Sequence, residues 1–94
     1  MEENIMERDF KGIWIPASVY CDKRLNALEK IIFATISELH NDTDGCTESN
    51  RELANYCQCS ETKVSLAISK LIMYQYLKLD GFDGRRRVLR KCDK

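Results

Sequence analysis

Two helix-capping signals, at Ser49 and Ser60, lie only eleven residues apart in this chain. Ser49 stands three residues before Glu52, a pattern in which the hydroxyl accepts from an early backbone N–H and the carboxylate reaches back to the cap. Ser60 is a simple cap, followed by Glu61, which the positive end of a helix dipole favours. Residues 57–59 leave room for a turn of only three or four residues, so the two helices must cross steeply. The spacing predicts a helix-turn-helix motif.

The helix that begins after Ser60 is predicted to be amphipathic. At about 100° per residue, one side collects apolar side chains that we expect in the core, namely Val64, Ala67, Ile68, Leu71 and Ile72. The opposite side carries Thr62, Leu66, Ser69 and Met73, flanked by Lys63, Ser65 and Lys70. This outer side is mostly small, polar or basic, which suits solvent or a binding partner.

A short hairpin is predicted directly after this helix. Two runs with strand character flank the Gly- and Asp-rich segment 81–84, which suits a loop of about four residues. Because side chains alternate along a strand, Arg85 and Arg87 are expected on one face and Arg86 on the other. A hairpin placed after the second helix of a helix-turn-helix motif is a wing.

The first part of the chain supplies the rest of the predicted domain. Asn26 is a capping residue with Glu29 three positions later, and the helix that follows is apolar around much of its circumference, as expected of a buried helix. Residues 10–16 form an apolar run suited to an edge strand or to packing over the first helix, with Trp14 in the core or covering the sheet. Residues 17–24 allow a helical turn.

These elements predict one mainly α-helical domain with a small β-hairpin. We expect a winged helix-turn-helix over residues 10–91, with a three-helix core, a wing and, as an option left open, an N-terminal edge strand. Residues 1–9 are expected to be a flexible acidic segment and residues 92–94 a tail. A chain of 94 residues can bury a core without disulfides or metals.

Charge is distributed unevenly along the chain. The formal net charge is zero, but residues 1–50 carry ten acidic and five basic side chains, and residues 51–94 carry the reverse. A polyanion is therefore expected to meet the C-terminal half, where the predicted helix-turn-helix and wing lie.

Several classes of protein are not favoured. No segment reaches the roughly 20 apolar residues of a membrane span, and the acidic start lacks the features of a signal peptide, so we expect a cytoplasmic protein. The five cysteines are an odd number without a disulfide spacing, and the C-x-C pair Cys57 and Cys59 does not match the usual zinc spacing. With one His, no nucleophile motif and no Gly-rich phosphate loop, we expect neither an enzyme nor a cofactor or metal.

Short motifs in a defined order carry a resemblance to a known group of domains. They are Phe10-Lys11-Gly12-Ile13-Trp14-Ile15-Pro16, Leu28-Glu29-Lys30, Asp44-Gly45-Cys46, Ser49-Asn50, Leu53-Ala54, Ser60-Glu61-Thr62, Ile68-Ser69-Lys70-Leu71 and Gly84-Arg85-Arg86-Arg87. Together they resemble winged-helix domains in helix-turn-helix proteins of Gram-positive bacteria and their phages and plasmids. The group is similar to the N-terminal domain of primosomal replication-initiation proteins.

The resemblance implies a winged-helix fold that binds double-stranded DNA, and in many members a further C-terminal region for replication or partner binding. The chain departs from the group in two respects. Leu66 stands where members often carry a basic or polar residue, and the sequence ends at Lys94, shortly after the predicted wing. On this basis we expect a transcriptional regulator or replication-initiation factor of a bacterium or its mobile element.

Candidate DNA contacts follow from the predicted elements. The helix at Ser60 would enter the major groove, with Ser60 itself a candidate DNA contact. It would present Thr62, Lys63, Ser65, Leu66 and Ser69 to base edges. Arg85, Arg86, Arg87 and Arg90 would place the wing on the phosphate backbone, with at most two of the first three in strong contact. Arg51, at the start of the preceding helix, would hold a phosphate together with backbone N–H groups.

A second hypothesis uses the same fold as a protein-interaction module. Leu66 and Met73 are apolar residues on the outward side of the second helix, with Tyr74 and Tyr76 following. Such a patch fits a homodimer seam or the surface for a replication or regulatory partner. The arginines would then be a solvated edge that discourages strand-to-strand aggregation.

Overall fold

A computed structural model describes residues 10–40, 44–84 and 86–92 of the protein. In chain order the elements are helices α1 (Ala17–Tyr20), α2 (Ala27–Leu39), α3 (Asn50–Cys57) and α4 (Glu61–Met73), then strands β1 (Leu77–Asp83) and β2 (Arg86–Lys91). The mainly helical fold with a hairpin after the last helix confirms the predicted winged helix-turn-helix. The acidic segment 1–9, Arg85 and the last two residues of the predicted tail lie outside the described residues.

The helix starts form as their capping residues predict. Asn26 Oδ1 accepts from the backbone N–H of Glu29 at 2.8 Å, and the Glu29 carboxylate accepts from the Asn26 N–H at 2.8 Å. Ser49 and Glu52 make the same reciprocal pair at the start of α3, at 3.1 and 2.8 Å. Ser60 Oγ accepts from the backbone N–H of Lys63 at 3.1 Å, so α4 also begins where the sequence predicts.

The connection between α3 and α4 is as tight as predicted. Gln58 ends α3 in the left-handed region, with φ of 57°, and its backbone N–H donates to the carbonyl of Ala54. Only residues 58–60 separate the two helices. This short turn fixes the crossing of α3 and α4 and leaves one side of α4 turned away from the core.

The core lies between α2, α3, α4 and the hairpin. Its fully buried side chains include Ile32, Ile36, Leu53, Val64, Leu71, Leu77 and Leu89. The prediction for α4 is confirmed except at Ile72, which is exposed because it lies roughly 80° around the helix from Val64, at the margin of the apolar stripe. Among the described residues, no helix is both long and apolar enough to span a membrane.

The N-terminal segment departs from the prediction. Residues 10–16 form no strand and pair with neither β1 nor β2. The Phe10 ring instead packs on Tyr56 of α3, with ring centroids 4.9 Å apart. Because no strand forms there, Trp14 has no sheet to cover and is 75% exposed. The predicted edge strand and the buried position of Trp14 are therefore wrong.

The hairpin is longer than predicted and its loop is shorter. Asp83 pairs with Arg86, so only residues 84 and 85 connect the strands, instead of a loop over 81–84. Gly84 has φ of +66°, a conformation that favours glycine in two-residue turns. The register shifts between Leu79 and Phe82, which places residues 80 and 81 in a bulge within β1.

A backbone bridge joins the connection between α2 and α3 to the hairpin. Cys46 and Leu89 exchange two backbone hydrogen bonds, at 2.8 and 2.9 Å. Gly45, with φ of +70°, lies against the β2 backbone directly before this bridge. The bridge thereby sets the position of the hairpin relative to the start of α3.

A hydrogen bond from Tyr76 joins the turn after α1 to the segment that follows α4. The Asp22 carboxylate accepts from Arg24 Nη2 and from the Tyr76 hydroxyl, each at 2.7 Å. Arg24, and then Tyr76, holds the pKa of Asp22 well below its usual range. Tyr76 leads into β1, so this cluster ties the start of the hairpin to the turn after α1.

Candidate nucleic-acid interface

The outward face of α4 consists of the residues predicted to meet DNA bases. Thr62, Lys63, Ser65, Leu66 and Ser69 are all exposed, whereas Ser60 is engaged in capping the helix. The face is polar at its N-terminal end, where Lys63 is its only positive charge. Hydroxyls, one ammonium group and an apolar side chain are the groups that read donors, acceptors and thymine methyls in a major groove. The structure thus brings the predicted recognition residues together on one surface.

The start of α3 contributes one further cation. Arg51 is exposed in the first turn of the helix, as predicted. The N–H groups of Ser49 and Glu52 are already engaged in the capping box, and the Glu52 carboxylate lies at the same helix end. A phosphate at this position would therefore be held by the Arg51 side chain more than by the helix terminus.

Arg86 is exposed but forms an ion pair with Glu52 of the same chain. Its Nη1 donates to Glu52 Oε1 at 2.7 Å and to the carbonyl of Thr47 at 3.0 Å. The hydrogen bond from Arg86, followed by that from the Ser49 backbone, lowers the pKa of Glu52 to about 2. The pair links β2 to the start of α3, and the charge that Arg86 offers to a ligand is largely balanced.

Arg87 and Arg90 also have partners within the chain. Arg87 is half-buried, its Nη2 donates to the carbonyl of Glu48 at 3.2 Å, and burial lowers the pKa of its guanidinium. Arg90 Nε pairs with the Asp80 carboxylate across the hairpin. The three described wing arginines therefore support the local structure, and Arg85 lies outside the described residues.

Four cations of the C-terminal half are exposed without an ion-pair partner among the described residues. They are Arg51, Lys63, Lys78 and Lys91. Lys78 lies on β1 directly opposite Arg90, and sequence reasoning did not select it as a DNA contact. The sequence signal for Lys78 as a DNA contact was its position as the second residue of the first wing strand.

Two apolar side chains interrupt the outward face of α4. Leu66 is 65% exposed and Met73 is 68% exposed. Their spacing of seven residues places them on the same side of the helix, two turns apart. Leu66 also lines a cleft of about 400 Å³ between α4 and the start of α2, together with Lys63, Asn26 and Leu28. Leu66 and Met73 together form the exposed apolar patch that the interaction hypothesis requires.

Two of the cysteines, Cys46 and Cys57, are placed as packing residues, whereas Cys21 is exposed. Cys46 is buried beneath the bridge to Leu89, and the Cys57 thiol donates to Thr35 Oγ1 at 3.5 Å. Burial raises the pKa of the Cys57 thiol, which disfavours the reactive thiolate. Within the part of the chain that the structure describes, no group of three potential ligands is placed to hold a metal ion.

Comparison with known proteins agrees with this geometry. A family model described as a helix-turn-helix domain matches residues 23–77, a segment that runs from the turn before α2 to the first residue of β1. The match covers α2, α3 and α4, so the three-helix core and the tight turn lie inside it. No curated protein and no solved structure gives a significant match to the chain.

Proposed function

Because this chain belongs to the helix-turn-helix domain family, we propose that it binds double-stranded DNA as a winged-helix domain. The proposed role is that of a transcriptional regulator or replication-initiation factor in the cytoplasm of a bacterium or its mobile element. In this role α4 enters the major groove and the hairpin lies along the flanking backbone.

The exposed polar face of α4 is the observation that carries the proposal. The outward face of α4 packs against no other described element and is free to enter a groove, and five exposed residues on this face can reach base edges. They are Thr62, Lys63, Ser65, Leu66 and Ser69. The short turn after Cys57 holds α3 across one end of α4, as a helix that crosses the DNA backbone requires.

Charge supports the same orientation. Residues 51–94 carry ten basic and five acidic side chains, and this half contains α3, α4 and the hairpin. Since Arg86, Arg87 and Arg90 have internal partners, Arg51, Lys63 and Lys78 are the side chains best placed to neutralise phosphates. Nonspecific affinity should therefore be modest and strongly dependent on salt.

The first test is binding of the chain to a mixed-sequence duplex, followed by fluorescence anisotropy at several salt concentrations. We expect a salt dependence equivalent to roughly three to six phosphate contacts. Absence of binding even at low salt would contradict the proposal. A slope near zero would also contradict it, since contact with the backbone releases counterions.

Lys63→Ala and Arg51→Ala are each expected to reduce the slope of log K against log salt by about 0.9, the value for one phosphate contact. Their matched control is Lys23→Ala, which removes an exposed lysine from the turn between α1 and α2 in the acidic half. The control should leave both affinity and slope unchanged. Equal effects of all three substitutions would indicate a general charge effect instead of an interface on α3 and α4.

The second candidate function is that of an oligomerisation or partner-binding module. The exposure of Leu66 and Met73 on one side of α4 favours it. A homodimer with this seam would still present its hairpins to solvent, so the two functions make different predictions for the same residue. In the first, Leu66 contacts a thymine methyl; in the second, it is buried by another protein.

Leu66→Asp separates the two functions. If α4 forms a dimer seam, a buried carboxylate without a partner should shift the protein from dimer to monomer in sedimentation, with little change in DNA affinity. A wild-type protein that is already monomeric contradicts the dimer. Ser65→Asp is the control, because it adds the same charge to an adjacent exposed position of α4.

A further inference from the structure

Phe82 is the most exposed aromatic residue of the hairpin. It lies in β1, directly opposite Arg87, and its side chain is 69% exposed. An aromatic ring of this size is normally buried or at least covered by neighbours, because its burial contributes strongly to folding. The Phe82 side chain contributes little to the core and lies on the surface of the hairpin, two residues before the turn at Gly84.

The backbone before Phe82 is irregular in a way that directs the ring. The register of the hairpin shifts between Leu79 and Phe82, and Gly81 has φ of +88°. A bulge of this kind bends a strand and re-aims the side chains that follow it. A Cβ on Gly81 would meet no atom within 4 Å, so close packing is not what requires the glycine. Gly81 is needed for its positive φ, and this backbone conformation sets the position of Phe82.

Phe82 shares a cleft with polar residues at the start of α3. This cleft of about 330 Å³ is lined by Phe82, Arg86, Arg87, Thr47, Ser49 and Asn50. Two atoms of these residues, Asn50 Oδ1 and Arg87 Nε, are buried and have no hydrogen-bond partner among the residues that the structure describes. The exposed Phe82 ring thus lies between the wing and α3, in a cleft that it shares with residues whose unpaired polar atoms are buried.

Resting on the proposed function, we propose that Phe82 is an apolar wedge that enters the DNA minor groove and opens a base-pair step. Proteins that kink DNA insert phenylalanine or another apolar side chain between bases, and the bend brings more of the protein into contact. Arg86 and Arg87 are less available for insertion than Phe82, because Arg86 pairs with the Glu52 carboxylate and Arg87 donates to the backbone carbonyl of Glu48. They anchor the strand while Phe82 projects from it.

The surroundings of Phe82 favour DNA over a protein partner. The nearest charged residue across the hairpin is Arg87, Arg86 lines the same cleft, and Lys78 is exposed on the same strand. Arg86 and Arg87 have internal partners, so Lys78 is the cation on this strand that remains available to a groove walled by phosphates. The core of a protein interface is instead depleted of charged residues.

The test uses two duplexes of equal length and identical base composition. One contains repeated TA steps, which are flexible and easily unstacked, and the other contains A-tracts, which are stiff and have a narrow minor groove. A wedge is expected to favour the TA duplex by about 5- to 10-fold, because opening a flexible step is less costly. Insertion of an arginine would show the opposite preference, since the narrow groove attracts cations.

Phe82→Ala should reduce this preference to within about 2-fold, whereas Phe82→Leu should retain much of it, because leucine also acts as a wedge. Leu79→Ala is the matched control: it removes another exposed apolar side chain from β1 and should leave the preference unchanged. End-to-end energy transfer in the TA duplex should report a bend with the wild type and a smaller bend with Phe82→Ala. Circular dichroism of each variant verifies that the fold is retained.

Each result has one interpretation. A wild type that binds both duplexes equally, or a Phe82→Ala variant that keeps the preference and the bend, overturns the wedge and leaves DNA binding intact. A wild type that binds neither duplex overturns the proposed function and the wedge together. Loss of self-association in the Phe82→Ala variant, with the duplex preference unchanged, would assign Phe82 to a protein interface and overturn the wedge.

Discussion

Replacement of Gly45 by alanine is expected to lower the free energy of unfolding by about 3 kcal/mol. Gly45 has φ of +70°, which a residue with a Cβ adopts only with strain. The added Cβ would also lie 2.8 Å from Val88 Cγ1 and 2.9 Å from the carbonyl oxygen of Leu89. That carbonyl accepts from the Cys46 N–H at 2.8 Å, so β2 cannot move away without loss of the bridge.

Urea unfolding followed by circular dichroism measures this effect. Gly81→Ala is the control, because Gly81 also has a positive φ, of +88°, but a Cβ there meets no atom within 4 Å. The control should cost only the backbone strain, about 1 kcal/mol. Equal destabilisation by the two substitutions would show that the contact with β2 is not close enough to resist a methyl group.

Leu89→Ala is expected to destabilise the protein by about 3 kcal/mol, as is typical when a fully buried leucine is truncated and leaves a cavity. The Leu89 side chain has no exposed surface, and its backbone carries both hydrogen bonds of the bridge to Cys46. The side chain therefore holds the wing against the helical core. Its loss should loosen the hairpin as well as lower the unfolding midpoint.

The natural control for this variant is Leu79→Ala. Leu79 lies directly opposite Leu89 in the hairpin but is 52% exposed, so truncation should change the free energy of unfolding by no more than about 0.5 kcal/mol. Amide hydrogen exchange would report the hairpin separately from the helices. Leu89→Ala with unchanged exchange in β1 and β2 would contradict a role for this side chain in anchoring the wing.

Much of the fold could be predicted because its signals are local. The caps at Asn26, Ser49 and Ser60 act over three residues, and the apolar stripe of α4 repeats within two turns. Neither signal depends on the rest of the chain. The order of helix, tight turn, helix and hairpin was therefore readable, and the family match to residues 23–77 agrees with it.

The candidate site was predicted only in part. The exposed residues of α4 follow directly from its periodicity, since a helix with one buried face must turn the other outward. The availability of the wing arginines for DNA could not be predicted in the same way. A run of arginines indicates a cationic surface, but the structure gives Arg86 a carboxylate partner 34 positions earlier, at Glu52, and tethers Arg87 to the backbone of Glu48.

The sequence by itself determined where the helices begin, which side of α4 is buried and where the charge accumulates, because these depend on neighbours within a few residues. Tertiary structure alone decided that Trp14 is exposed, that Arg86, Arg87 and Arg90 have partners within the chain and that Phe82 projects from a bulge. Those outcomes depend on which distant segments meet: no strand joins the hairpin from residues 10–16, and α3 brings Glu52 to Arg86. Contacts between remote residues form only when the helices have packed, so no local pattern encodes them.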